Sequence, residues 1–323
     1  MIFGAGAIGG GIGGLMAEAH HDITLIARGP HLDALRADGL RLRSPADDRT
    51  VHLRVEAGVR DADIGPGDVV LLTTKSQDTP AALAVLAESA HPDAVVVCAQ
   101  NGVDNERQAQ RVFARVYGLC VVMPATHVEP GEVCLDSEGY PGVLDLGRYP
   151  AGTDATAEAV AEDLRAAGFA SIAHPAIMSR KYRKLLLNLS NVLDAAVTPS
   201  PRTAEIHAAA SDEALQVFAA ASIEVGSTAE DAQRRDGMRI RRVRPGAETG
   251  SSTWQSLARG APSLESDYLN GEVVLTARLH GMRAPVNEVL WRLGHRVIRD
   301  RIAPRSLDAE DVAADVAAAQ AAT

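Results

Sequence analysis

Lys184, Asn188 and Asn191 fall at i, i+4 and i+7 of the run Lys184-Leu185-Leu186-Leu187-Asn188-Leu189-Ser190-Asn191, so on a helix they share one face. Leu185, Leu189, Val192 and Ala196 form the adjoining apolar stripe, which predicts a helix packed on one side and polar on the other. An ammonium group flanked by two neutral amides can hold a polar ligand or face solvent, and spacing alone leaves both readings open. Asparagine is a mediocre helix former, which tilts the balance toward a placed role.

A second group of residues suits a phosphate ester. Gly4-Ala5-Gly6-Ala7-Ile8-Gly9 is a GxGxxG pattern that follows the apolar pair Ile2-Phe3 and opens a helical stretch. The first glycine allows a tight turn, the second a close backbone approach to a pyrophosphate, and the third close packing of helix on strand. The helix N-terminus around Ala7 and Ile8 then offers unpaired N–H groups to the anion. The next strand candidate ends at Arg28, where an NAD enzyme usually carries a carboxylate for the ribose 2′-hydroxyl. An arginine can instead pair bidentately with a 2′-phosphate, so the expected cofactor is NADP(H); the bland alternative is a solvated arginine closing a strand. Two further strand candidates end in Thr73-Thr74-Lys75 and Gln100-Asn101-Gly102. Ligands of open parallel sheets bind beyond the carboxyl ends of the strands, which makes Lys75 and Asn101 candidate contacts.

The elements that must position these residues alternate in type. Short β-rich runs at residues 2–3, 23–27, 69–73, 95–99, 116–122 and 170–174 are separated by Ala/Leu-rich helical stretches. That pattern predicts a Rossmann-type α/β domain with a parallel sheet over residues 1–175. Beyond Pro175 the strand signal fades, and residues 177–197, 212–226, 265–281 and 286–302 read as helices of an all-α domain over 176–323. Residues 244–262 read as a long loop, preceded by Arg234, Arg235, Arg239, Arg241, Arg242 and Arg244, a basic run that is a solvated face or an anion anchor.

Composition bounds the partners. A formal net charge of −10 over 323 residues disfavours nucleic acid and favours a small-molecule role. Cys98, Cys120 and Cys134 lack ligand or disulfide spacing, the ten histidines show no metal pattern, and no apolar run matches a membrane span. The expectation is a cytoplasmic protein with no metal, no nucleic acid and no membrane partner; a homodimer is allowed for.

The motifs, taken in order, resemble those of the ketopantoate reductase family, the 2-dehydropantoate 2-reductases. They comprise the GxGxxG with Arg28, Thr73-Thr74-Lys75, Gln100-Asn101-Gly102, Thr126-His127, Tyr182-Arg183-Lys184-Leu185 with the two asparagines, Ser251-Ser252, and Glu265-Ser266-Asp267-Tyr268-Leu269-Asn270-Gly271. The resemblance spans nearly the whole chain. It implies hydride transfer from NADPH to the ketone carbon of a 2-oxo acid in a cleft between two domains, the second like that of 6-phosphogluconate dehydrogenase-like enzymes. Lys184 matches the family's general acid and Glu265 the carboxylate that orients the substrate. Asn101, Asn188, Asn191 and one of Ser251 and Ser252 match substrate contacts, and Lys75 a cofactor-side lysine. An ammonium beside a carbonyl oxygen stabilises the developing charge and can deliver a proton, in accord with that role. Without the family, Glu265 would read as an acid near a helix N-terminus, worth about 0.3–1 kcal/mol.

The expected reaction is ketopantoate to (R)-pantoate, in pantothenate biosynthesis. The alternatives are a paralogue acting on another 2-oxo or hydroxy acid and, from a different class, a non-catalytic NADP(H) sensor. Tyr182 stands where many relatives have tryptophan, and residues 192–196 lack the usual Pro-Leu-Thr character, so the substrate side chain is less determined than the reaction type.

Overall fold

Helix formation over Ala7–Glu18 runs against local propensity, because five of its 12 residues are glycine, each costing about 1 kcal/mol relative to alanine. Packing overrides that cost. A β-carbon at Gly9 would collide with Gly4 O and the Thr73 hydroxyl, and one at Gly13 would lie 2.5 Å from Leu25 Cδ2. On the opposite side, Gly11 abuts Met123 and Leu135, and a β-carbon at Gly14 would lie 2.6 Å from Leu42 Cδ1. The helix is bare because two sheets close on it.

The computed structural model describes residues 1–62, 64–246 and 250–322. Its elements begin β1 (Ile2–Phe3), α1 (Ala7–Glu18), β2 (Thr24–Ile26), α2 (Gly29–Asp38), β3 (Leu40–Arg43), β4 (Asp48–Val51), β5 (Arg54–Glu56) and β6 (Val69–Leu72). There follow α3 (Thr79–Ser89), β7 (Val95–Cys98), α4 (Asn105–Gln110), β8 (Arg115–Val122), β9 (Ala125–Thr126), β10 (Glu132–Leu135), β11 (Ser137–Gly139), β12 (Val143–Arg148) and α5 (Ala155–Ala166). The remainder is α6 (Ile177–Asn188), α7 (Asn191–Ala196), α8 (Pro201–Ala220), α9 (Thr228–Arg234), β13 (Met238–Ile240), α10 (Ser252–Ala258), α11 (Asn270–Leu279), α12 (Pro285–Arg299) and α13 (Ala309–Ala321).

Two compact units result. The first comprises Met1–Gln100, Asn105–Lys181 and Thr228–Gly246; the second comprises Asn101–Asp104, Tyr182–Ser227 and the described residues beyond 249. In the first, the main sheet has the order β12-β8-β7-β6-β1-β2-β5, parallel except for the β12–β8 pair. Val95-Val96-Val97-Cys98 is buried throughout, as a parallel strand covered on both faces requires. A second sheet, β4-β3-β10-β9, covers the other side of α1. In the second unit, α8 starts at Pro201 because Ser200 and Thr203 form a reciprocal capping box ahead of it. Its apolar side buries Ile206, Ala210, Ala214, Val217 and Phe218, and α12 buries Val286, Leu290, Leu293 and Val297.

The structure departs from the sequence expectations in several places; the helix expected over 212–226, for one, is α8, Pro201–Ala220. Residues 170–174 make only isolated bridges to β12, because the Asp145 carboxylate takes the Ile172 N–H (3.1 Å) and the Ser171 hydroxyl donates to Leu144 O. The predicted helix 177–197 breaks at Leu189-Ser190, where Asn270 Nδ2 captures Leu189 O (3.1 Å). Strand β13 lies in the half expected to be wholly helical and pairs antiparallel with β11. The predicted loop 244–262 contains α10, capped by Ser251, whose side chain accepts the Trp254 N–H at 3.2 Å.

Candidate active site

The glycine turn joins β1 to α1 at the carboxyl end of the sheet. Gly4 has φ +114°, a conformation L side chains rarely adopt, and its N–H and that of Ala5 both donate to Ile26 O, tying the turn to the end of β2. A β-carbon at Gly6 would meet nothing within 4 Å, so the space in front of the turn is open where a pyrophosphate would approach. Ala7 and Ile8 begin α1, whose first turn carries no side-chain cap and no acidic residue. Bare N–H groups and the positive end of the helix dipole suit an anion. Glycine is required at position 9 for a different reason, its collision with Gly4 O and Thr73.

Arg28 is exposed at the N-terminus of α2, two residues beyond β2. Glu56, the register partner of Ile26 on β5, is engaged by Arg54 (3.0 Å) and Arg36 (3.5 Å). His31, which no sequence motif marks, braces the turn: its Nε2 contacts Ala5 O at 2.8 Å and its Nδ1 accepts the Gly131 N–H at 2.9 Å. This pairing assigns the neutral Nε2–H tautomer. Burial and, secondarily, the nearby His127 hold the His31 pKa below its ordinary value, against the raising effect of the Ala5 bond. Lys75 is half-buried beyond the end of β6, at the start of the single turn Ser76–Asp78.

The second unit gathers the proton-transfer candidates. Lys184 Nζ donates to Asn101 Oδ1 at 2.9 Å, and Asn101 Nδ2 donates to Ser252 Oγ at 3.4 Å. Asn188 ends α6 and Asn191 begins α7, so the break removes them from one continuous helical face. Asn188 Oδ1 and Asn191 Nδ2 are both buried without a protein hydrogen-bond partner. A buried amide atom left unpaired costs roughly 1–3 kcal/mol, and a ligand atom at each removes that cost. Ser251 is held differently from Ser252. Its hydroxyl donates to Asn191 O (3.3 Å) and its N–H to Asp194 Oδ2 (2.5 Å), while Arg305 secures the other Asp194 oxygen at 2.9 Å. Ser251 therefore fixes the start of α10, and Ser252 is the serine that reaches Asn101.

Glu265 is buried in the turn Glu265–Tyr268 ahead of α11. That turn packs on the Asn101-Gly102 segment: Gly102 has φ +79°, and a β-carbon there would lie 2.8 Å from Tyr268 O. The arginine run is largely committed to carboxylates. Arg234 binds buried Asp145, Arg235 binds Asp231, Arg241 binds Glu138, and Arg244 binds Glu129 and Glu132. His127 bonds Glu132 O at 2.9 Å, a structural contact. Among the described residues no cluster of His, Cys, Asp or Glu could hold a metal ion, and no helix is long and apolar enough to cross a membrane.

Known proteins are similar to this chain over most of its length. The ketopantoate reductase PanE/ApbA family model matches residues 1–150, and the model of its C-terminal part matches residues 176–297. A 2-dehydropantoate 2-reductase of Archaeoglobus fulgidus is 32% identical over 302 residues, covering 90% of this chain and 95% of its own length. Among solved structures, a PanE/ApbA family ketopantoate reductase from Ralstonia eutropha JMP134 matches with TM-score 0.76 at 27% identity, covering 93% of this chain and 99% of that one. D-mandelate dehydrogenase, solved with NADH and anilino(oxo)acetate, shares the fold with TM-score 0.78 at 21% identity, over 93% of this chain and 99% of its own. With both parts of the family matched and a 32% identical relative aligned over nine-tenths of its length, the chain belongs to the ketopantoate reductase PanE/ApbA family.

Proposed function

We propose that this chain is an NADPH-dependent reductase of a small 2-oxo acid, with ketopantoate as substrate and (R)-pantoate as product. The observation that carries the reading is the Lys184–Asn101–Ser252 chain of hydrogen bonds, with the unpartnered amide atoms of Asn188 and Asn191 in the same unit. Asn188 Oδ1 needs a donor and Asn191 Nδ2 needs an acceptor. A hydroxylated 2-oxo acid offers both, through its hydroxyl and its carboxylate.

The bound cofactor supplies the hydride for the ketone carbon. Gly4, Gly6, Ala7, Ile8 and Gly9 would hold its pyrophosphate and Arg28 its 2′-phosphate, and Lys75 and Asn101 would be further cofactor contacts. The open space before Gly6 and the uncapped first turn of α1 fit that group. The chain's own chemistry is proton delivery. Lys184 places an ammonium at the carbonyl oxygen, stabilises negative charge as it develops there and donates the proton. Asn101 fixes Nζ by accepting one of its protons. Glu265, buried ahead of α11, orients the substrate from the Asn101-Gly102 side.

A reductase of a different 2-oxo acid is the second reading, favoured by the D-mandelate dehydrogenase fold match. Three free buried cysteines suit a reducing compartment, and we place the enzyme in the cytoplasm. The test is NADPH oxidation with ketopantoate, run beside Lys184→Ala and with NADH as competing cofactor. Turnover that disappears in the variant supports acid and substrate together. NADPH binding without turnover of ketopantoate, but with turnover of another 2-oxo acid, selects the second reading; no turnover across a 2-oxo acid panel makes the chain a sensor.

A further inference from the structure

The first unit contains a buried ion pair that the reaction does not use. Lys181 is 3% exposed and Glu106 is fully buried, and the two are in direct contact. Lys181 Nζ also donates to Gln100 O (3.2 Å) and Cys98 O (3.4 Å), the carbonyls at the end of β7. Gly118 on β8 makes the room: a β-carbon there would lie 3.2 Å from Glu106 Oε1 and 3.4 Å from Lys181 Cδ. A neutral network continues from the pair. Gln100 Nε2 donates to Thr79 Oγ1 (2.8 Å), which donates to Asn105 Oδ1 (2.8 Å), and Asn105 Nδ2 donates to Ser76 Oγ (3.3 Å).

Burying two opposite charges seldom stabilises a fold more than apolar side chains of equal volume would, because desolvation offsets the attraction. Such a pair does define position, since its charges must meet and its remaining protons must find acceptors. The positions it defines are informative. Gln100 directly precedes Asn101, and Lys181 stands one turn before Lys184 on the unbroken helix α6. One end of the 2.9 Å Lys184–Asn101 bond is thus covalently next to Gln100, and the other is one helical turn from Lys181.

We propose that Lys181 and Glu106 form a positioning pair that holds Asn101 and Lys184 in register for proton transfer. The proposal rests on Lys184 being the acid. It explains why Lys181 lies at i−3 from Lys184 yet bonds backbone carbonyls and a carboxylate.

The experiment compares Lys181→Met/Glu106→Met, Lys181→Gln/Glu106→Gln and Lys184→Ala with the wild type. It records kcat and KM for the 2-oxo acid turned over, the pH profile of kcat/KM, the NADPH dissociation constant and thermal stability. The double variant leaves no orphaned charge, so we expect it to fold and to bind NADPH within about twofold of wild type. Its kcat should fall about 10- to 100-fold, the cost of misplacing a catalytic group by a fraction of an ångström to an ångström, with a shifted pH profile. Should it fail to fold, Lys181→Gln/Glu106→Gln, which also leaves no unpaired buried charge, gives the same two readings. A folded variant with wild-type kcat and pH profile, beside an inactive Lys184→Ala, overturns the positioning role. Full activity in Lys184→Ala instead overturns the assignment of the acid, and the pair's role with it.

Discussion

The glycine turn and the lysine cluster are built in opposite ways. The turn uses consecutive residues, and what it presents to a ligand is backbone: N–H groups, an absent β-carbon at Gly6 and a helix end. The cluster uses side chains from three distant segments, with Lys184 83 residues from Asn101 and Ser252 151 residues from it. The first is therefore secured by packing, with α1 pressed between two sheets. The second depends on helix ends, a helix break and α10 all meeting correctly. Damage to one should register as lost folding or lost dinucleotide, and damage to the other as lost rate.

The largest expected effect lies in the cluster. Lys184→Ala should lower kcat by about 10²–10⁴-fold, the usual worth of a positioned general acid, with thermal stability and NADPH affinity retained. Steady-state kinetics beside NADPH fluorescence titration checks this, and a parallel collapse of NADPH affinity would break the separation between the two regions.

Within the turn, Gly9→Ala and Gly6→Ala should divide stability from binding. The first drives a β-carbon into Gly4 O and Thr73 and should cost about 1–3 kcal/mol in denaturant unfolding, with dinucleotide binding lost alongside. The second meets no protein atom, so it should unfold like the wild type while binding NADPH more weakly. Wild-type NADPH affinity in Gly6→Ala would remove the turn from the pyrophosphate site.

Arg28→Ala tests cofactor choice. Losing charge-assisted hydrogen bonds to a 2′-phosphate should weaken NADPH about 10- to 100-fold and leave NADH nearly unchanged, as measured by competition titration. An equal loss for both cofactors would make Arg28 a general electrostatic contributor.

The smallest effect concerns pH. His31 is held neutral against Ala5 O and the Gly131 N–H, with its native pKa below the ordinary value of 6.5, chiefly through burial. The unfolded chain thus takes up this proton first as pH falls. Stability from His31 is complete above that ordinary value and is lost as pH drops from there through the lower native pKa. Thermal melts from about pH 8 to about pH 5.5 should show a decline that His31→Leu flattens. A slope identical in the variant would assign it to other groups.

Much of this molecule was legible in the order of its residues. The βα alternation of the main sheet, the turn Gly4–Gly9 and the helix that carries Lys184 and Asn188 followed from patterns within a few residues of one another, because turns, helix starts and buried valine strands are governed by local sterics and periodicity. The second sheet was not, since Leu40-Arg41-Leu42-Arg43 and its neighbours are short strands with charged alternate positions. The break after Asn188 was also hidden, because the group that captures Leu189 O is Asn270, 81 residues away. The same holds for the arginine run, which looks like a solvated face until Asp145, Glu138, Glu129 and Glu132 are brought to it. Sequence alone determined which groups this protein possesses and which devices their spacing can form. Tertiary structure decided which serine reaches Asn101, which amide atoms are buried without a protein partner and which charges are spent on each other, because each depends on partners that only long-range packing brings within hydrogen-bond reach.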